Sequence, residues 1–218
     1  MLPTKLQMQQ ALTERVGTAL QSKLDSATVA ICGLGGLGSH IAMALARAGV
    51  GTLILLDFDR VDITNLNRQQ YKADQLGMEK AIALAENIRE ISPYTRLIPH
   101  TVRVTADNLP ALAGQAQVIC EAFDRAEEKS MLTEAVLTKL PHATLVAASG
   151  MAGLGDPKTV RTRRISRRFY LCGDGFSDVD TLGSLFAPRV MLCAAHQATT
   201  VLRILTEQIE KKEDHKND

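Results

Sequence analysis

The glycine-rich stretch Gly33-Leu34-Gly35-Gly36-Leu37-Gly38 restricts this chain more than any other feature. It follows an apolar run over residues 29–32 and precedes residues 39–47, rich in Ala, Leu and Met at helical spacing. Strand, glycine turn and helix is the order of the G-x-G-x-x-G turn. Without Cβ atoms the chain can turn sharply, so that N–H groups at the helix start and the positive end of the helix dipole face an anionic phosphate. A second apolar run, residues 52–56, ends in Asp57-Phe58-Asp59, where an acid in such a unit meets a ribose hydroxyl. Glycines alone also fit a strand-to-helix turn with no ligand. The strand, helix and acid around them favour a nucleotide, with Gly33, Gly35, Gly36, Leu37, Gly38, Asp57 and Asp59 as its candidate contacts.

Further along, helical and apolar stretches alternate. A helix follows Gly77-Met78-Glu79-Lys80 and closes at Pro93; residues 97–104 predict a strand; Asp107-Asn108 open a short helix ending near Gly114. Residues 117–123 predict a buried strand with Asp124 at its tip, 126–140 a helix stopped by Pro141, and 144–148 another strand. This order predicts an α/β, Rossmann-like doubly wound fold with a mainly parallel sheet, and puts the glycines, Asp57 and Asp124 at carboxyl ends of strands, where ligands bind. From residue 151 the rhythm changes: strands over 159–165 and 169–172 predict an antiparallel C-terminal extension, followed by a turn-rich loop and a helix from Arg189 to about Lys211. Its inward side is expected to carry Val190, Ala194, Gln197, Val201 and Ile204 or Leu205, and a polar tail is expected after it. At the other end, Leu12, Val16, Leu20 and Leu24 recur every fourth residue and predict one amphipathic helix over 5–24. No repeat or boundary divides the chain. A single domain over 1–218 is expected, made of a helical arm (1–25), a nucleotide-binding core (26–150) and a C-terminal segment (151–218).

A net charge of +1 argues against a general nucleic-acid surface. No apolar run reaches the roughly 18 residues of a membrane span, and the N-terminal residues 1–10 lack an apolar signal core, so a cytoplasmic protein without membrane contacts is expected. Cys32, Cys120, Cys172 and Cys193 are far apart with no C-x-x-C pair, which excludes a paired-knuckle zinc site. Buried thiols are the favoured reading, with Cys172 and Cys193 as alternative nucleophiles.

Chemistry on a nucleoside triphosphate needs cations against the phosphates and a carboxylate for a divalent metal. Asn65 and Arg68, just past the second strand, can face phosphates together; Lys80 can add a point charge; Asp124 can hold Mg²⁺. Read singly, Arg68 is a solvated loop cation, Lys80 a first-turn lysine and Asp124 a helix N-cap. A nicotinamide-dependent oxidoreductase would account for the glycines and Asp57 but leave these four residues idle.

With Asn65-Leu66-Asn67-Arg68-Gln69, Gly77-Met78-Glu79-Lys80 and Asp124 in this order behind the glycine turn, the chain resembles the ThiF/MoeB/HesA family of adenylating enzymes, relatives of the ubiquitin-activating enzymes. Cys172-Gly173-Asp174 and the stretch from Ala187 through Pro188, Arg189 and Cys193 to His196 and Gln197 are similar to a shorter ThiF-type branch linked to thiamine biosynthesis. The resemblance implies an ATP- and Mg²⁺-dependent enzyme that adenylates the C-terminal glycine carboxylate of a small ubiquitin-like sulfur carrier ending in Gly-Gly, releasing pyrophosphate. By motif, Asp57 would hold the ribose, Asn65, Arg68 and Lys80 the phosphates, and Asp124 the metal. The family's homodimer habit makes Arg15 the candidate arginine acting across the dimer. The chain departs from longer relatives in lacking paired zinc cysteines and a cysteine in the loop 174–188, so no zinc is expected and adenylation is the step implied. A tRNA-modifying dehydratase of the same family is the alternative, disfavoured by the charge balance. Arg161, Arg163, Arg164, Arg167 and Arg168 read either as a solvated hairpin or as a docking surface for an acidic carrier.

Overall fold

A computed structural model of the chain describes residues 2–208. Its strands are β1 (Thr28–Cys32), β2 (Thr52–Asp57), β3 (Arg96–Thr101), β4 (Val118–Glu121), β5 (Thr144–Ala148), β6 (Arg161–Ser166) and β7 (Phe169–Gly173). Its helices are α1 (Lys5–Val16), α2 (Thr18–Asp25), α3 (Gly36–Arg47), α4 (Lys80–Ile91), α5 (Leu109–Ala113), α6 (Ala126–Lys139), α7 (Val179–Leu182) and α8 (Ala187–Leu205). The strands form one sheet in the order β3-β2-β1-β4-β5-β7-β6. All neighbours run parallel except β6, which pairs antiparallel with β7. This is the doubly wound sheet with an antiparallel extension that the sequence pattern predicts.

Strand order moves outward from β1 in both directions, to β2 on one side and β4 on the other. The connections therefore leave on opposite faces at that point and open a crevice beyond the carboxyl ends of the strands. Side chains of β1 divide between two cores. Val29 and Ile31 join α3 and α8 through Ile41, Leu45, Val190 and Val201, whereas Ala30 and Cys32 join α5 and α6 through Leu109, Leu132 and Val136. Burial on both faces explains why this strand reads as an unbroken apolar run. On α8, Val190, Ala194, Gln197 and Val201 face inward as expected.

The expected helix over 5–24 is a correction. It is two helices, because Gly17 adopts φ +86° and ψ 150° between them. Glycine reaches this region without a Cβ penalty and weakens a helix interior. The every-fourth-residue stripe is not one buried face: Leu24 is buried, Val16 is exposed, and α1 buries no residue. At the other end, α8 starts two residues earlier than expected, with Pro188 in its first turn, where a missing N–H is tolerated. It ends at Leu205 rather than near Lys211; residues 209–218, including the expected polar tail, lie outside the described residues.

The arginine run also proves heterogeneous. Arg168 donates to the carbonyl oxygens of Leu137, Leu140 and Ala143 at 3.1, 3.1 and 2.7 Å, closing the carboxyl end of α6. Arg164 lies over the Tyr170 ring, 5.7 Å from its centroid. Arg168 is thus a helix-end clamp. Because charged hydrogen bonds contribute about 1.5–3 kcal/mol, Arg168→Ala is expected to lower unfolding free energy by about 2 kcal/mol in a urea titration, whereas Arg167→Ala is expected to change it by less than about 0.5 kcal/mol.

Candidate functional site

The turn after β1 is fixed by backbone contacts that exclude side chains. Gly33 sits at φ +89°, and a Cβ there would lie 2.7 Å from the Ala122 carbonyl oxygen at the end of β4. A Cβ on Gly38 would collide with the Gly33 carbonyl, so α3 packs directly on the turn. Between them Leu34 is gripped from both sides. Its N–H donates to Asp57 Oδ2 at 2.6 Å, and its carbonyl accepts the Tyr71 hydroxyl at 2.8 Å. The other Asp57 oxygen accepts the Asp59 N–H at 2.8 Å. Burial pushes the Asp57 carboxyl up, and the Asp59 and Leu34 N–H groups pull it back down. Asp57 therefore ties the tip of β2 to the glycine turn.

A cleft of about 460 Å³ opens above this turn at the strand-order reversal. Gly33, Gly35, Gly36, Leu37, Asp57, Asp59, Asn65, Arg68, Lys80 and Asp124 all line it. Of the candidates from sequence, Gly38 lies behind the turn, and Arg15 is exposed on α1 and lines no part of this cleft. Lys80, with a side chain only 7% exposed, reaches Asp59 Oδ2 at 3.1 Å, and its N–H also donates to the Asp59 carbonyl. Asn65 spends its amide oxygen on the Asp62 N–H at 3.0 Å, closing a capping box. Arg68 Nη1 is held by the Thr64 carbonyl and Asn67 Oδ1, while its buried Nε finds no acceptor among the described residues. Gln69 Oε1 is likewise buried without a donor. The expectation that Asp124 caps the next helix when read alone is not met: Arg125 holds the N-cap position, and the exposed Asp124 carboxylate makes no hydrogen bond or ion pair among the described residues.

These features fit a nucleoside triphosphate. A cradle of glycine N–H groups, an orphaned arginine nitrogen and a buried lysine suit phosphates. The Asp124 carboxylate on the same cleft would suit a Mg²⁺, which is commonly bound by one or two carboxylates together with phosphate oxygens. Phe58, Val102, Val104 and Phe123 add an apolar lining to the cleft, and the Arg103 guanidinium lies over the Phe58 ring, 4.4 Å from its centroid.

Several contributors were not singled out from sequence. Lys129 lines the cleft and pairs with Glu121, itself 1% exposed, at 3.0 Å. Arg189 pairs with Asp174 at 2.6 Å and also donates to the carbonyls of Gly155 and Asp156, joining α8 to two loops of the cleft wall. The only sequence signals were an acid inside an apolar strand for Glu121 and the Asp174 and Arg189 positions within the motif-like segments. All four cysteines are buried. Burial raises the thiols of Cys172 and Cys193, the latter to about 12, which opposes a thiolate nucleophile at neutral pH.

The profile of the ThiF family matches residues 7–217. The chain is 37% identical over 149 residues to the adenylyltransferase and sulfurtransferase uba4 of Aspergillus terreus, covering 67% of this chain and 30% of that protein. It is 36% identical over 153 residues to the tRNA threonylcarbamoyladenosine dehydratase of Escherichia coli, covering 68% of this chain and 55% of that protein. It thus spans from about a third to about half of the length of these relatives. Among solved structures, the Escherichia coli tRNA N6-threonylcarbamoyladenosine dehydratase in complex with ATP has a similar fold, with a TM-score of 0.83 at 22% identity over 95% of this chain and 98% of that one.

The Asp174–Arg189 pair generates a pH dependence. Burial raises the Asp174 carboxyl, but hydrogen bonds from the Ser177 and Phe176 N–H groups, the Ser177 hydroxyl and Arg189 outweigh it and lower it from 3.8 to about 2. A depressed acid stabilises the fold above its unfolded value and loses that contribution as pH falls through the folded one. On the order of 2 kcal/mol is therefore expected to disappear between about pH 4 and about pH 2. Asp174→Asn is expected to be less stable at pH 7 and to show a shallower fall over that window, measured by denaturant titration at each pH.

Proposed function

Because this chain belongs to the ThiF family, we propose that it is an ATP-dependent adenylyltransferase acting on the C-terminal glycine carboxylate of a small ubiquitin-like sulfur carrier. The carboxylate attacks the α-phosphorus of ATP, pyrophosphate leaves, and the acyl adenylate is open to a sulfur donor. Its place in thiamine thiazole formation is supported by the likeness of Cys172-Gly173-Asp174 and the start of α8 to that branch. The observation that carries the proposal is the convergence of the glycine turn, Arg68, Lys80 and Asp124 on one cleft.

The nucleophile is already an anion at neutral pH, so the step calls for charge compensation rather than proton abstraction. N–H groups at the start of α3 cradle phosphate oxygens, Asn65 and Arg68 orient the triphosphate, and Lys80, steadied by Asp59, offsets charge as it shifts to the leaving group. Asp57 takes the ribose at the floor of the cleft while holding the turn in shape. Asp124 would hold a Mg²⁺, which when bound would supply charge neutralisation at the phosphates. Arg15 completes the phosphate site of a second copy in a cytoplasmic homodimer.

A second reading, adenylation of a modified tRNA base, is favoured by the 36% identity to the Escherichia coli dehydratase. Both readings share the nucleotide chemistry and differ in the acceptor. Exchange of labelled pyrophosphate into ATP separates them: exchange that depends on a Gly-Gly-ended carrier is the expected result, and exchange that depends on tRNA alone favours the second. Arg68→Ala and Asp124→Ala are each expected to slow exchange about 100-fold or more with the melting temperature retained; unchanged exchange in both would overturn their assignments.

A further inference from the structure

We propose that Glu121 and Lys129 form a positioning pair that aims Asp124 into the cleft; this rests on the adenylation reading above. β4 ends at Glu121, and the chain then turns through Ala122, Phe123 and Asp124 into α6. The Glu121 side chain folds back on this turn. Its Oε1 accepts the Phe123 N–H at 2.8 Å and Lys129 Nζ at 3.0 Å, and its Oε2 accepts the same ammonium at 3.0 Å. Lys129 donates in addition to the Ala148 carbonyl at 3.1 Å. The pair therefore joins the end of β4, the first turns of α6 and the end of β5. From the opposite layer, Gln197 on α8 donates to the carbonyls of Glu121 and Val146 at 3.0 and 3.1 Å, pinning the same strand ends.

An ion pair is a costly way to gain stability here. Glu121 is almost wholly buried, and an apolar pair of similar volume often holds a core equally well. What the pair supplies instead is direction. Asp124 has no hydrogen bond of its own and does not cap α6, so its placement depends on its backbone, and that backbone is anchored one residue earlier at the Phe123 N–H. Groups behind a metal ligand fix its orientation in this way, and their loss weakens metal affinity by about 10–100-fold.

The test measures binding by calorimetry: ATP affinity of the full chain with and without Mg²⁺. Asp124→Ala serves as the benchmark that loses the Mg²⁺ response. Glu121→Leu leaves Lys129 unpaired and risks the fold, so the double variant Glu121→Leu/Lys129→Met, which removes both charges, is measured beside it. Either variant is expected to weaken the Mg²⁺ response about 10–100-fold, with Mg²⁺-free ATP affinity unchanged. Glu121→Gln, whose amide oxygen still accepts the Phe123 N–H, is expected to restore the response. A full response in the double variant beside a lost one in Asp124→Ala overturns the pair alone. A parallel fall in Mg²⁺-free affinity also overturns it, since Lys129 would then contact the nucleotide itself. A full response in Asp124→Ala overturns the metal assignment and the pair with it.

Discussion

The grip of Asp57 and Tyr71 on Leu34 is the contact on which the cleft depends. A glycine-rich turn has many accessible conformations, and ordering it costs more entropy than ordering other residues. Here the cost is met by hydrogen bonds from both sides of one residue, with the carboxylate at the tip of β2 and the phenol from the loop before α4. The result is a turn whose shape is set before any ligand arrives, with its floor closed by the backbone of Ala122. Pre-ordered donors of this kind need no reorganisation as charge moves during reaction.

Three cations in or beside the cleft are partnered. Lys80 is matched by Asp59, Lys129 by Glu121 and Arg189 by Asp174, each with a carboxylate within hydrogen-bond reach. Arg68 stands apart, since no carboxylate pairs with it among the described residues and its buried Nε has no acceptor there. An arginine held through Nη1 alone by Thr64 and Asn67, with its Nε unspent, is suited to receive an anion without rearrangement.

Much of this architecture could be read from the sequence because it follows from simple periodicities. The alternation of apolar runs with helical stretches foretold the sheet, and with the glycine turn it foretold that the glycines, Asp57 and Asp124 sit at carboxyl ends of strands. The residues that went unnoticed act through other residues. Glu121 looked like part of an apolar strand, and its partner lies in the first turn of a helix with no motif around it. Arg168 looked like one of five equivalent basic residues, although the carbonyls it closes belong to a helix nearly thirty positions earlier. Asp57 was read for a ligand contact, and its ties to the turn depend on bringing Leu34 within reach from another strand. Such pairings arise from tertiary placement, to which local patterns carry no pointer. The Gly17 break was visible as a glycine, but the every-fourth-residue stripe outweighed it.

The consequence of that break extends to how the molecule opens. α1 has a capping box between Thr4 and Gln7 and a hydrogen bond from the Tyr94 hydroxyl to the Pro3 carbonyl, yet buries none of its residues. With no residue fully buried, α1 is expected to open at a lower free energy than the strands of the sheet. Because a single glycine, Gly17, separates α1 from α2, such opening would leave α2 and the nucleotide cleft in place.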